Sequence, residues 1–211
     1  MNNLIKDGFY IGKNEELFSD LIIFQNYCTK INNLSEDKSN FKYRFDYKYP
    51  APYSMFIGLD EIEEREKFVK DNKISTFQRW WQYSGTDLVH IKNYFRENVV
   101  NFLTKIYGDM GELTHLDDIT LFEDGDFIDE HKDGYNEARI CVVLIYLSDS
   151  KTYQDGGGKL VIKNNDIIEE VYPINENFTI LDFTQNNVTH VVTPVKNDFK
   201  RLTYINFISK K

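Results

Sequence analysis

Cysteine is nearly absent from the 211 residues, with only Cys28 and Cys141 present, so there is no disulfide framework to read. Cys141 lies inside an apolar run and reads as a small buried hydrophobe rather than a reactive thiol. No apolar stretch approaches the length of a membrane span, and the N-terminal MNNLIKDGFYIGK lacks the apolar segment of a signal peptide. Basic residues are outnumbered, 25 Lys and Arg against 34 Asp and Glu, giving a net charge of -9 and a pI of about 5.0. No run of Lys and Arg offers the basic face that grips a phosphate backbone, which disfavours nucleic acid as a partner. No internal repeat, low-complexity segment or linker divides the chain. These absences point to a soluble protein in a reducing, cytoplasmic setting, with no membrane partner.

What is present can build a core: 41% of residues are hydrophobic and 15% aromatic, while 28% are charged and keep the surface solvated. A single domain over 1–211 is expected, with a helix-rich supporting region at 1–111 and a β-rich core at 112–211. In the first part, Leu17, Leu21, Phe24 and Cys28 recur at helical spacing and predict one helix from Asn14 to about Asn33. Asp60 and Glu63 form a capping pair for a charged helix running to about Asn72. Leu88, Ile91, Phe95, Val99, Phe102 and Ile106 define the strongest helix, Thr86 to Tyr107, with Thr86 as its cap and Gly108 as its stop. Between them Phe41, Tyr43, Phe45, Tyr47 and Tyr49 alternate with charged residues until Pro50 and Pro52, predicting a strand with one aromatic face. Its expected place is the edge of the sheet, covering the core, with a substrate-facing lid as the alternative.

From Glu112 the texture changes to short strands, expected at 113–122, 127–132, 139–147, 158–163, 167–172, 178–183, 189–195 and 201–208, separated by Gly- and Asn-containing turns. Eight strands in a hundred residues suggest a β-sandwich or jelly roll, mainly β with helical support.

Chemistry concentrates there. His131 and Asp133 stand two apart on an expected strand, so their side chains leave one face. His190 follows 59 residues later at the start of another. Two imidazoles and a carboxylate on one side of a metal leave coordination positions open, as in non-haem iron(II) oxygenases; zinc accepts the same ligands. Arg201 shares a strand face with Thr203, Ile205 and Phe207 and so points inward among apolar neighbours. A buried guanidinium needs an anion. A dicarboxylate matches its planar fork, and a salt bridge to one of the many acidic residues is the alternative.

The ordered blocks from Ile119 to Phe207 resemble the prolyl 4-hydroxylase-like branch of the Fe(II)/2-oxoglutarate dependent dioxygenases. Phe122-Glu123-Asp124-Gly125 leads into His131-Lys132-Asp133; Arg139 to Leu147 is similar to that family's central strand; Gly156-Gly157-Gly158 to its glycine turn; His190 to Val195 to its distal histidine block; and Arg201 closes the series. The resemblance implies a double-stranded β-helix with Fe(II) on His131, Asp133 and His190. It implies 2-oxoglutarate anchored on Arg201, with Tyr146 and Thr203 as further contacts, O2 as oxidant and ascorbate as reductant. It implies hydroxylation of a C–H bond, best matched to a peptidyl proline in a protein or peptide partner. Asp133 argues against the halogenating variant, which lacks that carboxylate.

Two positions depart from the pattern or sit awkwardly in it. Phe122 stands where many relatives have tyrosine. Arg139 matches a substrate-side arginine, yet strict alternation sets it opposite Tyr146, so a surface charge is the expected role unless a bulge intervenes. Trp80 and Trp81 read as core anchors, with a substrate groove as the alternative. A small-molecule or free amino-acid hydroxylase and a non-catalytic jelly-roll binding module remain open. Nucleobase dealkylation is disfavoured, because Phe207 stands where those enzymes place a second arginine.

Overall fold

The computed structural model describes residues 7–47, 53–57, 62–71, 76–133, 138–184 and 187–211. Its elements in chain order are β1 (Phe9–Lys13), α1 (Asn14–Leu17), α2 (Leu21–Leu34), β2 (Phe41–Tyr47), β3 (Tyr53–Ile57), α3 (Ile62–Asp71), β4 (Thr76–Tyr83), α4 (Val89–Tyr107), β5 (Leu113–Phe122), β6 (Phe127–His131), β7 (Arg139–Tyr146), β8 (Leu160–Asn164), β9 (Ile167–Val171), β10 (Asn177–Asp182), β11 (Thr189–Val192) and β12 (Arg201–Lys210).

All twelve strands join one antiparallel sheet in the order β1-β10-β7-β12-β5-β4-β6-β11-β8-β9, with β2 between β3 and β4 off this path. The sheet folds over on itself as a jelly roll, and β4 is the bend, pairing with β5 through Trp81 and Gln82 and with β6 through Gln78 and Arg79. Strand alternation then sorts side chains into two cores. Cys141, Val143 and Ile145 of β7 and Leu202, Tyr204 and Ile208 of β12 pack against the helices. Val142, Leu144 and Tyr146 of β7 face the interior of the roll with Phe122, Leu160, Ile162 and Val192. Both cysteines are free and buried.

Helix α4 forms for the reason its spacing suggests: Ile91, Phe95, Val99 and Phe102 recur every three or four residues and all are buried. Phe95 meets Tyr204 of β12 at 5.1 Å between ring centroids, and burying such a side chain contributes about 2–3 kcal/mol. Gly108 ends the helix at φ 75°. The start differs from the expectation. Thr86 does not cap it; the helix begins at Val89, because Leu88 is drawn fully into the core and Asp87 is committed to the Tyr83 hydroxyl. The single helix expected from Asn14 to Asn33 is likewise two. Phe18 turns inward to stack on Phe24 at 4.5 Å, and Asp20 recaps the chain by accepting the amide protons of Ile22 and Ile23. Leu21, expected in the core, is consequently exposed. The capping residue Asp60 and the residues Tyr49, Pro50 and Pro52 lie outside the described residues.

The aromatic strand is not an edge. β2 pairs on both sides, with β3 and β4. Phe41 and Tyr43 bury toward the helices, while Arg44 and Asp46 on the other face line the interior cavity. Tyr43 also donates to Asp126 Oδ1 at 2.7 Å, and Asp126 Oδ2 accepts the Glu123 amide at 3.0 Å, fixing the turn that enters β6.

Burial pushes the Asp126 carboxyl up to about 7, against the opposing pull of the Glu123 amide, Tyr43 and Arg79. A folded-state pKa above the unfolded value means the group's contribution is complete below about pH 4 and is lost as pH rises through 7. Asp126→Asn is therefore expected to flatten the fall in stability between pH 4 and 7.5 by about 1–3 kcal/mol, read from urea unfolding midpoints across that range.

Candidate functional site

The interior of the roll holds a cavity of about 530 Å³, with His131, Asp133, His190 and Arg201 in its wall. His131 ends β6 and His190 lies on β11, and the two are direct cross-strand partners, which brings their rings to 4.2 Å between centroids. Asp133 lies two residues past the end of β6, so regular alternation does not place it. Its main-chain oxygen is held instead by Arg139 Nη1 at 2.9 Å. The carboxylate spans the two imidazoles, with Oδ1 3.3 Å from His131 Nε2 and Oδ2 3.4 Å from His190 Nε2. One ligand atom from each of the three lies within 4.8 Å of the others.

The chemistry of this donor set suits a divalent cation. His131 Nδ1 sits 2.7 Å from the Asp129 carbonyl, which can only accept, so in the neutral ring the proton is on Nδ1 and the Nε2 lone pair faces Asp133. Burial drives the His190 pKa down to about 4, so its ring is neutral. Burial also disfavours charge on Asp133, but the His131 hydrogen bond and the nearby His190 outweigh it and hold the carboxyl below its ordinary range. At His131 burial pulls the pKa down and Asp133 more than restores it, for a net rise. Once His131 gives up the proton it shares with Asp133, two imidazole nitrogens and a carboxylate remain together as ligands for a divalent metal.

Arg201 opens β12 and is 1% exposed. Burial lowers its pKa only to about 10, so it stays charged. Its Nε donates to the Gly158 carbonyl at 2.8 Å, while Nη2 is buried with no partner. No acidic side chain among the described residues pairs with it. Its guanidinium lies 4.8 Å from the Phe122 ring centre and 5.5 Å from that of Tyr146. Tyr146 is fully buried, its hydroxyl 3.2 Å from Thr179 Oγ1. Thr203, on the same β12 face as Arg201, has a buried hydroxyl without a partner. An uncompensated guanidinium beside an idle hydroxyl fits an anionic acceptor such as a carboxylate.

The glycine turn shapes this end of the cavity. Gly157 has φ 65°, and a Cβ there would come within 2.0 Å of the Pro194 carbonyl oxygen; a Cβ on Gly158, at φ 62°, would press on Arg201 Cδ at 3.0 Å. Gly157→Ala is expected to cost about 1–3 kcal/mol from backbone strain and more from the clash, measured as a fall in thermal midpoint.

Arg139 is not a simple surface charge. The register of β7 against β12 skips a residue, Cys141 facing Ile208 and Arg139 facing Ser209. The bulge lets Ile140 and Cys141 both face the helix-side core, turning Arg139 onto the cavity side. There it lies 4.8 Å from the ring of Phe207 and reaches the Asp133 carbonyl.

Residues 107–209 match the family model of the 2OG-Fe(II) oxygenase superfamily. This segment belongs to that superfamily. Across its whole length the chain shares its fold with solved prolyl-hydroxylase-like structures at low identity. It resembles a prolyl hydroxylase from Trichoplax adhaerens, solved with a hypoxia-inducible-factor peptide fragment, at TM-score 0.64 and 16% identity, covering 99% of this chain and 86% of the other. An oxidoreductase of the 2OG-Fe(II) oxygenase family from Burkholderia pseudomallei gives 0.64 and 15%, covering 99% and 88%. A Pseudomonas putida prolyl-4-hydroxylase gives 0.56 and 12%, covering 100% and 96%. A search of curated sequences finds no match. The superfamily's chemistry uses Fe(II), 2-oxoglutarate and O2, and the chain carries a His-Asp-His cluster that could hold a metal ion.

Several residues of the cavity come from the supporting region. Trp80 lines the cavity while Trp81, one residue on, packs toward the helices. Gln78 and Gln82 share the cavity face of β4 with Trp80, Gln78 bonded to Asp46 and Gln82 to Asp118 at 2.6 Å. Burial pushes the Asp118 carboxyl up, against Lys92 and Gln82. Adjacent tryptophans on a strand point to opposite faces, a signal that locates one of them at the site once β4 is known to be a strand. No helix of the described residues is long and apolar enough to cross a membrane.

Proposed function

We propose that the chain is an Fe(II)- and 2-oxoglutarate-dependent hydroxylase in which His131, Asp133 and His190 hold the metal. Arg201 receives the far carboxylate of 2-oxoglutarate, with Thr203 and Tyr146 beside it. The observation that carries this reading is one cavity holding both a three-residue ligand cluster and a buried arginine with an unpartnered nitrogen and no acidic partner among the described residues. Iron with 2-oxoglutarate and O2 supplies the oxidation that turns a C–H bond into C–OH, with succinate and CO2 as co-products.

The chain's own contribution is placement. The β6–β11 pairing sets the two imidazoles, and Arg139 steadies the backbone of Asp133. The apolar walls, Val142, Leu144, Leu160 and Val192, exclude water around the reacting centre. The whole of 1–211 works as one unit in this reading, supported by β1, β2 and β4 sharing the sheet and by Arg44, Asp46 and Trp80 lining the cavity. Ascorbate serves as reductant, and a reducing cytoplasmic setting suits the two buried thiols.

The primary substrate in this reading is a peptidyl proline, with Arg139 at the substrate side of the cavity. Its support is the likeness in fold to prolyl hydroxylases, one solved with a peptide. The test is reconstitution with Fe(II), ascorbate and 2-oxoglutarate, measuring succinate, followed by mass spectrometry of proline-containing peptides for a gain of one oxygen. Succinate with peptide oxidation on proline is the expected result. Succinate without any peptide product would move the substrate to a small molecule or free amino acid, and no succinate would favour a jelly-roll binding module.

A further inference from the structure

Trp80 is the cavity residue with a polar atom to spare that the proposed function leaves unused. It is 8% exposed, and its indole Nε1 is buried without a partner. Leaving such a donor unbonded costs about 1–3 kcal/mol, so a fold that keeps it there has an acceptor to offer when the site is filled. The ring's position says which acceptor. Trp80 stacks on Phe122 at 6.1 Å with planes 14° apart, and the Arg201 guanidinium lies 4.8 Å from the centre of the same Phe122 ring. The Arg44 guanidinium also sits over the indole, 5.3 Å from the ring centre. Arg44, Trp80, Phe122 and Arg201 thus form a chain of ring and cation contacts along the cavity, and the unpartnered Nη2 of Arg201 lies at its deep end.

Phe122 offers no hydroxyl, so the stacked pair has one donor, and it belongs to Trp80. Trp80 and Arg201 line the same cavity and share the Phe122 ring between them, which places the Trp80 indole in the part of the cavity that holds the guanidinium. The molecule proposed there is rich in acceptors, with two carboxylates and a keto oxygen. We propose that Trp80 is a 2-oxoglutarate-binding residue, its indole N–H donating to an oxygen of the co-substrate in place of a hydroxyl that Phe122 cannot supply. This rests on the co-substrate reading above.

The experiment is calorimetric titration of 2-oxoglutarate into anaerobic Mn(II)-loaded protein, comparing wild type with Trp80→Phe, Phe122→Tyr and the double variant. Trp80→Phe keeps an aromatic ring on Phe122 and removes only the donor and part of the area. It is expected to weaken 2-oxoglutarate about 10-fold with Mn(II) affinity unchanged. The added hydroxyl of Phe122→Tyr is expected to bring the double variant back to within about threefold of wild type. Trp80→Phe binding as tightly as wild type would overturn the assignment and leave the co-substrate reading intact. A loss that Phe122→Tyr fails to repair would reduce Trp80 to a packing role, which also overturns it. Wild type that takes up Mn(II) but not 2-oxoglutarate would overturn both readings together.

Discussion

Asp133→Ala is expected to lower succinate formation by on the order of 10³-fold or more, about 4 kcal/mol of transition-state stabilisation. It is also expected to remove the metal's effect on stability. The carboxylate is the one group that touches both imidazoles, at 3.3 and 3.4 Å, and it carries the only negative charge in the cluster. Without it, two neutral imidazoles remain to hold a dication, and both affinity and orientation fall. The two effects separate in a thermal experiment. A metal present at a hundred times its dissociation constant stabilises the folded protein by about 2.7 kcal/mol, so wild type should melt higher with Fe(II) or Mn(II) under anaerobic conditions. Asp133→Ala should melt at one temperature with or without the ion. Metal-free Asp133→Ala is expected to melt below metal-free wild type, because the depressed carboxyl pKa marks a stabilising contact with His131, so the metal effect is read within each protein, with and without the ion. An equal metal-induced rise in both proteins would place the ion elsewhere and undo the assignment of the triad.

How far this site could be read without coordinates depended on the distance over which each inference had to reach. Strand limits in the β core came from local alternation and turns, and β5 at Leu113–Phe122 and β7 from Arg139 match the expectation to within a residue. The inward face of β12 followed in the same way, since Arg201, Thr203, Ile205 and Phe207 obey one period. Local pattern failed where tertiary burial overrode it. Phe18 broke the first helix by turning into the core, and Leu88 took the place of Thr86 at the start of α4.

The larger loss was long-range. Alternation showed that β2 has an aromatic and a charged face, yet only its pairing with β4 decides that Arg44 and Asp46 face the cavity. The opposition of Arg139 and Tyr146 was likewise sound for a regular strand, and a single skipped residue at Ile140 reversed it. Asp133 shows the converse: alternation from His131 needs a strand that reaches past 132, but β6 stops at His131 and the Arg139 hydrogen bond positions the residue. Residue types at the centre were legible because the chemistry restricts them. Residues of the wall, such as Gln78, Gln82 and Asp118, were not, because polar side chains on strands have many uses.

Arg201→Met should weaken 2-oxoglutarate binding by about 10²–10³-fold, as expected when one partner of a buried charged contact is removed, while leaving metal affinity within about twofold of wild type. The distinctive part of the prediction concerns stability. Arg201 is 1% exposed, retains its charge and has one nitrogen without a partner, so in the ligand-free fold it is a liability. Methionine has similar length, fills the space beside Phe122 and Tyr146, and carries no charge to desolvate. The counter-costs are the Gly158 carbonyl, which loses the Nε donor at 2.8 Å, and the Tyr146 hydroxyl, which loses its hydrogen bond with the guanidinium, about 1 kcal/mol each. Replacement of buried charge by a well-packed apolar side chain is often neutral or stabilising by about 1–4 kcal/mol. Ligand-free Arg201→Met is therefore expected to melt at or above wild type, whereas saturating 2-oxoglutarate with Mn(II) should raise wild type above the variant. Arg201→Lys should fall between them in affinity, since an ammonium supplies charge without the planar fork. A ligand-free variant that melts well below wild type would mean the guanidinium is part of the fold's own support. In that case the idle nitrogen would no longer argue for a dicarboxylate.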